Sequence, residues 1–416
     1  YLARIDAFDQ QGPALNAVIT VSGEALETAK QLDKYFADND AFIGPLHGIP
    51  VVVKDQAETA GLRTTFGSCV MADYVPQNDA TAIAKLKQAG AIILAKTTLP
   101  DFATSWFSFS SQSGQSKNPY DLARDPGGSS SGTGAAIAAN YATLGIGEDT
   151  GGSIRLPSSF NNLVGLKVTP GLISRTGMSP LVVFQDSAGP MCRTVSDVAK
   201  TLNVMAGFDA EDPFTATAAI AGPQDYTRNL SADALEGQTI GIIRQAFGDD
   251  GDENAAAVNQ LMAQAISDMQ RLGAKIVDVE IPDLDYYVEY TSLYVTHSRH
   301  DINQFLSKRD VPVKTVQEIH AKKQYHPQLD LFEALIEGPD DPTSETDYYQ
   351  RYIARETFQR LLVNVMSRVG ASALMYPTTQ IPAPTHDDLA ASKWTTLTYP
   401  TNTLIAAQSW LPAVSI

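Results

Sequence analysis

The apolar positions of the chain repeat as a helical pattern, a glycine and a short apolar run. Residues 78–95 follow this order, with the predicted helix ending at Gly90. The same order returns at residues 259–281, where Gly273 separates a helical pattern from a predicted strand. Units of this kind predict an α/β protein whose sheet carries helices on its faces.

The remaining apolar patterns extend this prediction to the whole chain. They predict helical spacing at 1–38 with a break at Gly12 and Pro13, a buried strand at 48–55, a helix of small residues at 133–141, a strand at 144–147, and a strand with a Pro-rich loop at 373–386. Residues 284–360 are rich in Tyr, His, Lys, Asp and Glu at helical spacing, and predict a helical excursion over the sheet. Because no linker composition interrupts the chain, we expect one large domain over residues 1–416.

Composition narrows the classes of protein. Apolar residues make up 44% of the chain and charged residues 19%, which is enough apolar material for a large core. The net charge of −17 repels phosphate backbones and argues against nucleic-acid binding. No apolar run has the length of a membrane helix, and no signal peptide is visible. Cys69 and Cys192 allow at most one disulfide, which favours a reducing compartment such as the cytoplasm.

Two neighbouring Gly/Ser clusters are the main candidates for chemistry, "GGSSSGTG" at 127–134 and "GEDTGGSIR" at 147–155. A phosphate-binding loop would need Lys where Thr133 stands. A nucleophile elbow fits G-x-S-x-G with Ser130 at its centre, but a turn-like segment rather than an apolar strand precedes it. A flexible loop is a third interpretation, although an apolar helix follows the first cluster at once.

The elbow interpretation also needs an acid and a histidine, and the chain offers Asp149 with His297, His300 or His386. A metal site is a separate hypothesis, since His297 and His300 lie three residues apart on a predicted helix. No third ligand has a telling spacing, so we expect surface histidines and neither a metal nor another cofactor.

Three short stretches resemble the amidase signature family of amide hydrolases: "VVVKD" with Lys54, "GGSSSGTGAAIAA" with Ser129, and "GEDTGGSIRLPS" with Ser153. The similarity runs from about Gly44 to Arg193 and includes "GPLHGIPVVVKD" and "FQDSAGPMCRTVSDVA". The resemblance implies a mixed β-sheet covered by helices on both faces and a small-molecule amide substrate, and it allows a homodimer. The final "LPAVSI" resembles a family strand that is cut short, so we expect the natural chain to continue.

By this resemblance Ser153 is the nucleophile, Ser129 the proton relay and Lys54 the base. A lysine acts as a base only when neutral, and burial at the end of the "PVVVK" run would lower its pKa from about 10.4. Asp55 would oppose that shift, but neighbouring side chains of a strand point to opposite faces.

The resemblance further assigns groups around the reacting centre. The N–H groups of Thr150, Gly151, Gly152 and Ser153 would form an oxyanion hole, where two glycines let the backbone approach the substrate. A cis peptide at Gly128–Ser129 would hold the relay serine. Supporting roles fall to Ser130, Asp149 and Arg155, the last two as an ion pair. The candidates for an apolar substrate lining are Ser105, Trp106, Met178 and Phe184.

Three functions follow from this interpretation. The first is a stand-alone amidase for small, hydrophobic or aryl amides. The second is a protein like the A-type component of a glutamine-dependent amidotransferase. Such proteins usually carry a glutamine-binding stretch that resembles "SSLDQIGP", and this chain has "VVFQDSAGP" at that place. The third is a catalytically inactive scaffold, against which all three proposed catalytic residues argue.

Overall fold

The computed structural model describes residues 1–416, which form two β-sheets and fifteen α-helices. The strands are β1 Val18–Val21, β2 Pro50–Lys54, β3 Ile92–Thr97, β4 Leu144–Asp149, β5 Val164–Lys167, β6 Ser187–Cys192, β7 Thr239–Ile243, β8 Lys275–Val279, β9 Ala373–Met375 and β10 Ala413–Ser415. The larger sheet has seven strands in the order β1-β3-β2-β4-β6-β5-β10. Its centre is parallel, because β2 pairs in parallel with β3 and β4, and the outer pairs are antiparallel. The sheet is therefore mixed, as predicted.

Helices cover both faces of this sheet, and others pack against the second sheet or against one another. They are α1 Leu2–Phe8, α2 Ala25–Asn39, α3 Thr81–Gln88, α4 Ser131–Ala138, α5 Arg155–Phe160, α6 Val195–Met205, α7 Ala216–Ala221, α8 Glu253–Arg271, α9 Leu284–Tyr290, α10 Tyr294–Ser307, α11 Val316–Ala321, α12 Asp330–Ile336, α13 Tyr348–Val369, α14 His386–Ala390 and α15 Leu404–Gln408. None of them combines the length and apolar composition that crossing a membrane would need.

The central strand β2 shows how its apolar residues are shared between the two faces. Val51 and Val53 pack in the same buried cluster as Ile83 of α3 and Val198 of α6. Val52 packs in the opposite cluster, with residues of α1, α2 and α4. Since side chains alternate along a strand, Lys54, two positions after Val52, lies on the same face as Val52, the face that carries α4.

The segment 1–38 differs from the prediction. Instead of helical structure throughout, Val18–Val21 forms β1, which pairs antiparallel with β3 between helices α1 and α2. All four residues of "VITV" are β-branched, and such residues favour a strand when a sheet edge is within reach.

The strands of the two helix-glycine-strand units belong to different sheets. The first supplies β3 of the large sheet, whereas the second supplies β8 of a separate parallel sheet in the order β8-β7-β9. The segment 284–360 holds helices α9 to α12 and the first half of α13.

Helix α4 lies very close to the sheet, and Gly132 makes this approach possible. A Cβ at this position would overlap the carbonyl oxygen of Ala17 and the amide nitrogen of Thr98. Both are main-chain atoms of neighbouring segments, so they cannot rotate away as a side chain would.

We therefore expect Gly132→Ala to lower the free energy of unfolding by about 1–3 kcal/mol, the usual cost of overpacking. Urea unfolding followed by circular dichroism measures this change. Gly23→Ala is the matched control, because nothing lies within 4 Å of its added Cβ. Equal stability of the two variants would contradict the close approach of α4.

Candidate active site

Lys54 and Ser129 are in direct contact inside the protein. The Nζ of Lys54 donates to the Oγ of Ser129 over 2.8 Å and to the main-chain oxygen of Glu148 over 3.2 Å. Lys54 is 1% exposed and Ser129 is fully buried. The contact arises because Lys54 ends β2 on the α4 face, while Ser129 lies just before the first turn of α4.

The two Gly/Ser clusters meet at this contact. The Gly128–Ser129 peptide is cis, as the resemblance implied. The N–H of Ser130 donates to the carbonyl oxygen of Ser153 over 3.1 Å and joins the first cluster to the second. The structure thus brings Lys54, Ser129 and the Ser153 segment into one buried region.

The loop that follows β4 needs glycine at both of its central positions. A Cβ on Gly151 would overlap the Tyr294 hydroxyl of α10. Gly152 has a φ of +142°, and a Cβ there would overlap the side chain of Thr403. The Thr403 hydroxyl also donates to the carbonyl oxygen of Gly151 over 2.5 Å. Segments far away in the sequence therefore shape this loop.

Asp149 organises the turn around Ser153. Its carboxylate accepts hydrogen bonds from the N–H groups of Gly152, at 2.7 Å, and Ile154, at 3.1 Å. Arg155 binds both carboxylate oxygens, each at 3.0 Å, so the ion pair expected from the sequence is present and bidentate. Burial alone would raise the pKa of Asp149, but the Arg155 guanidinium and these hydrogen bonds hold it below its usual range.

This arrangement changes the expected oxyanion hole. The Gly152 N–H is directed to the Asp149 carboxylate, so it is not free to bind a substrate oxygen. The N–H groups of Thr150, Gly151 and Ser153 make no hydrogen bond within the protein. The prediction that all four amides form the hole is therefore reduced to these three donors.

Burial of Lys54 favours its neutral form, and the charges around it oppose that preference. Burial lowers its pKa to about 8, although the carboxyl groups of Glu148, Asp149 and Asp186 act in the opposite direction. Asp55 lies apart from this group of acids, because it is bound to the buried Lys96 at 3.1 Å.

Glu148 is the nearest acid to Lys54, and sequence reasoning missed it. Its Oε2 lies 3.6 Å from the Lys54 Nζ, and both side chains are 2% exposed. An available signal was the position of this glutamate directly after the apolar run "LGIG" in a predicted buried strand. A charged residue within such a buried run is rarely without a partner.

The Ser130 hydroxyl, one of the supporting candidates, makes no hydrogen bond to Ser129. This hydroxyl lies against the main chain of Glu148, accepting from the N–H at 3.4 Å and donating to the carbonyl oxygen at 3.3 Å. These contacts are not those of an elbow nucleophile, which would be presented to substrate.

The histidines lie apart from the Lys54–Ser129 contact. His297 is 3.0 Å from the Tyr348 hydroxyl and 3.4 Å from Asp301, whereas His300 contacts the main chain of Asp340. The two imidazoles therefore have separate partners. His297 is 7% exposed, so the expectation of surface histidines is wrong for this residue.

The four expected lining residues fall into two groups. Ser105 and Trp106 belong to the segment that passes Gly128, since a Cβ on Gly128 would lie 3.1 Å from the carbonyl carbon of Trp106. Met178 is buried among the residues that pack against β2. Phe184 is 4% exposed and packs edge-on against His297, among other aromatic rings.

The family model described as Amidase matches residues 1–416. The chain belongs to the amidase family. A relative, the A component of the glutamyl-tRNA(Gln) amidotransferase of Carboxydothermus hydrogenoformans, is 40% identical over 285 residues, which cover 68% of this chain and 57% of the relative. The match to the same component from Caldanaerobacter subterraneus covers 64% of its length, so the chain spans less than two thirds of these curated relatives.

Solved structures of amidase family members share the fold over the entire chain. The native peptide amidase from Stenotrophomonas maltophilia superimposes with a TM-score of 0.86 at 31% identity, covering 100% of this chain and 84% of that one. The A component of the glutamyl-tRNA(Gln) amidotransferase from Thermotoga maritima has a TM-score of 0.76 at 27% identity, covering 100% and 82%.

Removal of the Asp149 charge should destabilise the protein strongly. In Asp149→Asn the buried Arg155 loses its counter-ion, so we expect the free energy of unfolding to fall by about 3–5 kcal/mol. Urea unfolding measures it. Asp268→Asn, which breaks the exposed pair with Arg271, is the matched control and should change stability by less than about 1 kcal/mol. Similar losses in both variants would contradict the bracing role of the buried pair.

Proposed function

We propose that this amidase hydrolyses the carbon–nitrogen bond of a small amide through an acyl-enzyme on Ser153. The observation that carries the proposal is the 2.8 Å contact between the buried Lys54 amine and the Ser129 hydroxyl. A serine hydroxyl needs a base to become a nucleophile, and a buried amine with a pKa of about 8 suits that task near neutral pH.

In the proposed mechanism, neutral Lys54 takes the proton of Ser129, which takes that of Ser153. The Ser153 oxygen attacks the amide carbon, and the carbonyl oxygen becomes an oxyanion bound by the N–H groups of Thr150, Gly151 and Ser153. The relay then returns the proton to the leaving nitrogen as the C–N bond breaks. Water enters by the same proton path, releases the acid and restores Ser153.

The substrate contacts belong to the same proposal. We keep Ser105 and Trp106 as lining candidates because their segment borders Gly128, next to the relay serine. Met178 and Phe184 are enclosed by their own packing, so we assign them to the support of the site. A hydrophobic acyl or aryl group remains the substrate that we expect.

A second candidate function is that of the A component of an amidotransferase, which the 40% identity to such a protein favours. Two observations favour the hydrolase over it. The chain has "VVFQDSAGP" in place of the stretch that resembles "SSLDQIGP". The peptide amidase also superimposes more closely than the Thermotoga maritima protein. We therefore propose a C-terminally amidated peptide or an aryl amide as the first substrate to test.

A substrate panel separates the two functions. The purified chain is incubated with an amidated hydrophobic dipeptide, an anilide and glutamine, and ammonia or aniline release is measured. We expect faster turnover of the dipeptide or anilide than of glutamine. Hydrolysis of glutamine alone, and only in the presence of the other amidotransferase components, would support the second candidate function.

Covalent labelling tests the nucleophile. A fluorophosphonate should react with Ser153, as located by peptide mapping and mass spectrometry, and the label should disappear in Ser153→Ala. Ser130→Ala is the matched control and should retain the label, since the Ser130 hydroxyl contacts the Glu148 main chain. A label on Ser130 would overturn the assignment and revive the elbow interpretation.

The role of Lys54 predicts both a loss of rate and a pH dependence. In Lys54→Met the amine is lost at similar volume, so acylation should fall by at least about 100-fold, the usual contribution of a general base. In the wild type, kcat/KM should rise as pH increases through about 8, because the neutral amine is the active form. The exposed Lys30→Ala is the control, and an unchanged rate in Lys54→Met would remove Lys54 from the mechanism.

A further inference from the structure

Glu148 is a buried acid beside the proposed base, and the mechanism above gives it no task. Its Oε2 is 3.6 Å from the Lys54 Nζ and makes no hydrogen bond. A negative charge at this distance raises the pKa of Lys54 and favours its ammonium form, which cannot accept a proton. The proposed function, on which this role rests, is therefore best served when Glu148 is largely uncharged.

The Thr150 hydroxyl connects Glu148 to a second buried acid. The Oγ1 of Thr150 lies 2.6 Å from Oδ1 of Asp186 and 3.2 Å from Oε1 of Glu148. A hydroxyl has one proton and donates to one acceptor at a time. The second contact becomes a hydrogen bond only when one carboxyl group carries a proton of its own.

Main-chain donors bind the Asp186 carboxyl group, and none binds the Glu148 side chain. The Asp186 oxygens accept the N–H groups of Leu181 at 3.0 Å and Val182 at 3.1 Å, which stabilise a negative charge there. Burial raises the pKa of both Glu148 and Asp186, and the neighbouring Glu148 raises that of Asp186 further, so the pair retains a proton more readily than either acid would in water.

The other charged groups near Glu148 have partners of their own. Asp149 is bound to Arg155. Lys167 donates to the carbonyl oxygens of Val168 and Leu411. The Tyr294 hydroxyl accepts from Gln185, and burial raises its pKa well above the usual value, so it stays neutral.

We propose that Glu148 is a positioning residue for Lys54, and that Glu148, Thr150 and Asp186 form a carboxyl–hydroxyl–carboxyl bridge that carries one proton at neutral pH. The Glu148 main-chain oxygen fixes the Lys54 amine, and its side chain faces that amine with little net charge. Because the bridge to Asp186 lets Glu148 keep a proton, Lys54 stays available as a base.

Infrared difference spectroscopy at pH 7 tests the bridge without an activity measurement. The wild type should show the C=O stretch of a protonated carboxyl group that is lost in Glu148→Gln and also in Asp186→Asn. Each single variant leaves one acid that ionises alone, so both must lose the band. If neither wild-type-minus-variant spectrum contains the band, or if only one variant loses it, the hypothesis of a shared proton is wrong.

The pH profile of kcat/KM tests the effect on Lys54. In Asp186→Asn the whole negative charge moves to Glu148, so the acidic limb should shift to higher pH by about one unit. In Glu148→Gln it should stay or move to lower pH, and the double variant should follow Glu148→Gln. Shifts of both single variants in one direction overturn the role of Glu148.

The test remains decisive if a variant does not fold or if the wild type is inactive. Should Asp186→Asn fail to fold, Thr150→Val replaces it, with Thr150→Ser as the matched control that retains the hydroxyl and should retain the band. An inactive wild type would contradict the proposed function alone, because the infrared comparison still decides whether the bridge exists.

Discussion

The burial of the Lys54 amine against the Ser129 hydroxyl is the constraint on which the site depends. An amine removed from water favours its neutral form, and that preference makes a lysine usable as a base. It also requires that every nearby carboxyl group be bound elsewhere or protonated. Asp55 is bound to Lys96 on the other side of the sheet, and Asp149 is bound to Arg155. Glu148 is the carboxyl group nearest to the amine, and neither it nor Asp186 has a second cation as a partner.

The second organising element is the Asp149 carboxylate, which acts on the backbone rather than on a substrate. By accepting N–H groups from both sides of Ser153, it sets the turn that presents this residue. The same bonds occupy the Gly152 amide and leave three neighbouring donors unbound. The Asp149 carboxylate, held by Arg155, therefore decides both the shape of the loop and which of its amides stay unbound within the protein.

Distant segments complete the site because two glycines make room for them. The Tyr294 hydroxyl fills the space beside Gly151, and Thr403 fills that beside Gly152. Tyr294 begins helix α10 of the 284–360 segment, and Thr403 precedes helix α15. The helices over the sheet are thus attached directly to the loop that carries Ser153. Another contact, between Arg309 and Glu58, ties the same segment to the region after β2.

The sequence by itself determined the α/β class, because hydrophobic periods act over a few residues. The mixed sheet and the grouping of Lys54, Ser129 and Ser153 came from the resemblance of its motifs to a family, not from any local pattern. Only the tertiary structure decided the strand at 18–21, the partner of Ser130, the loss of the Gly152 amide and the place of Glu148. Each depends on atoms brought together from separate segments, and neither hydrophobic period nor residue type records that proximity.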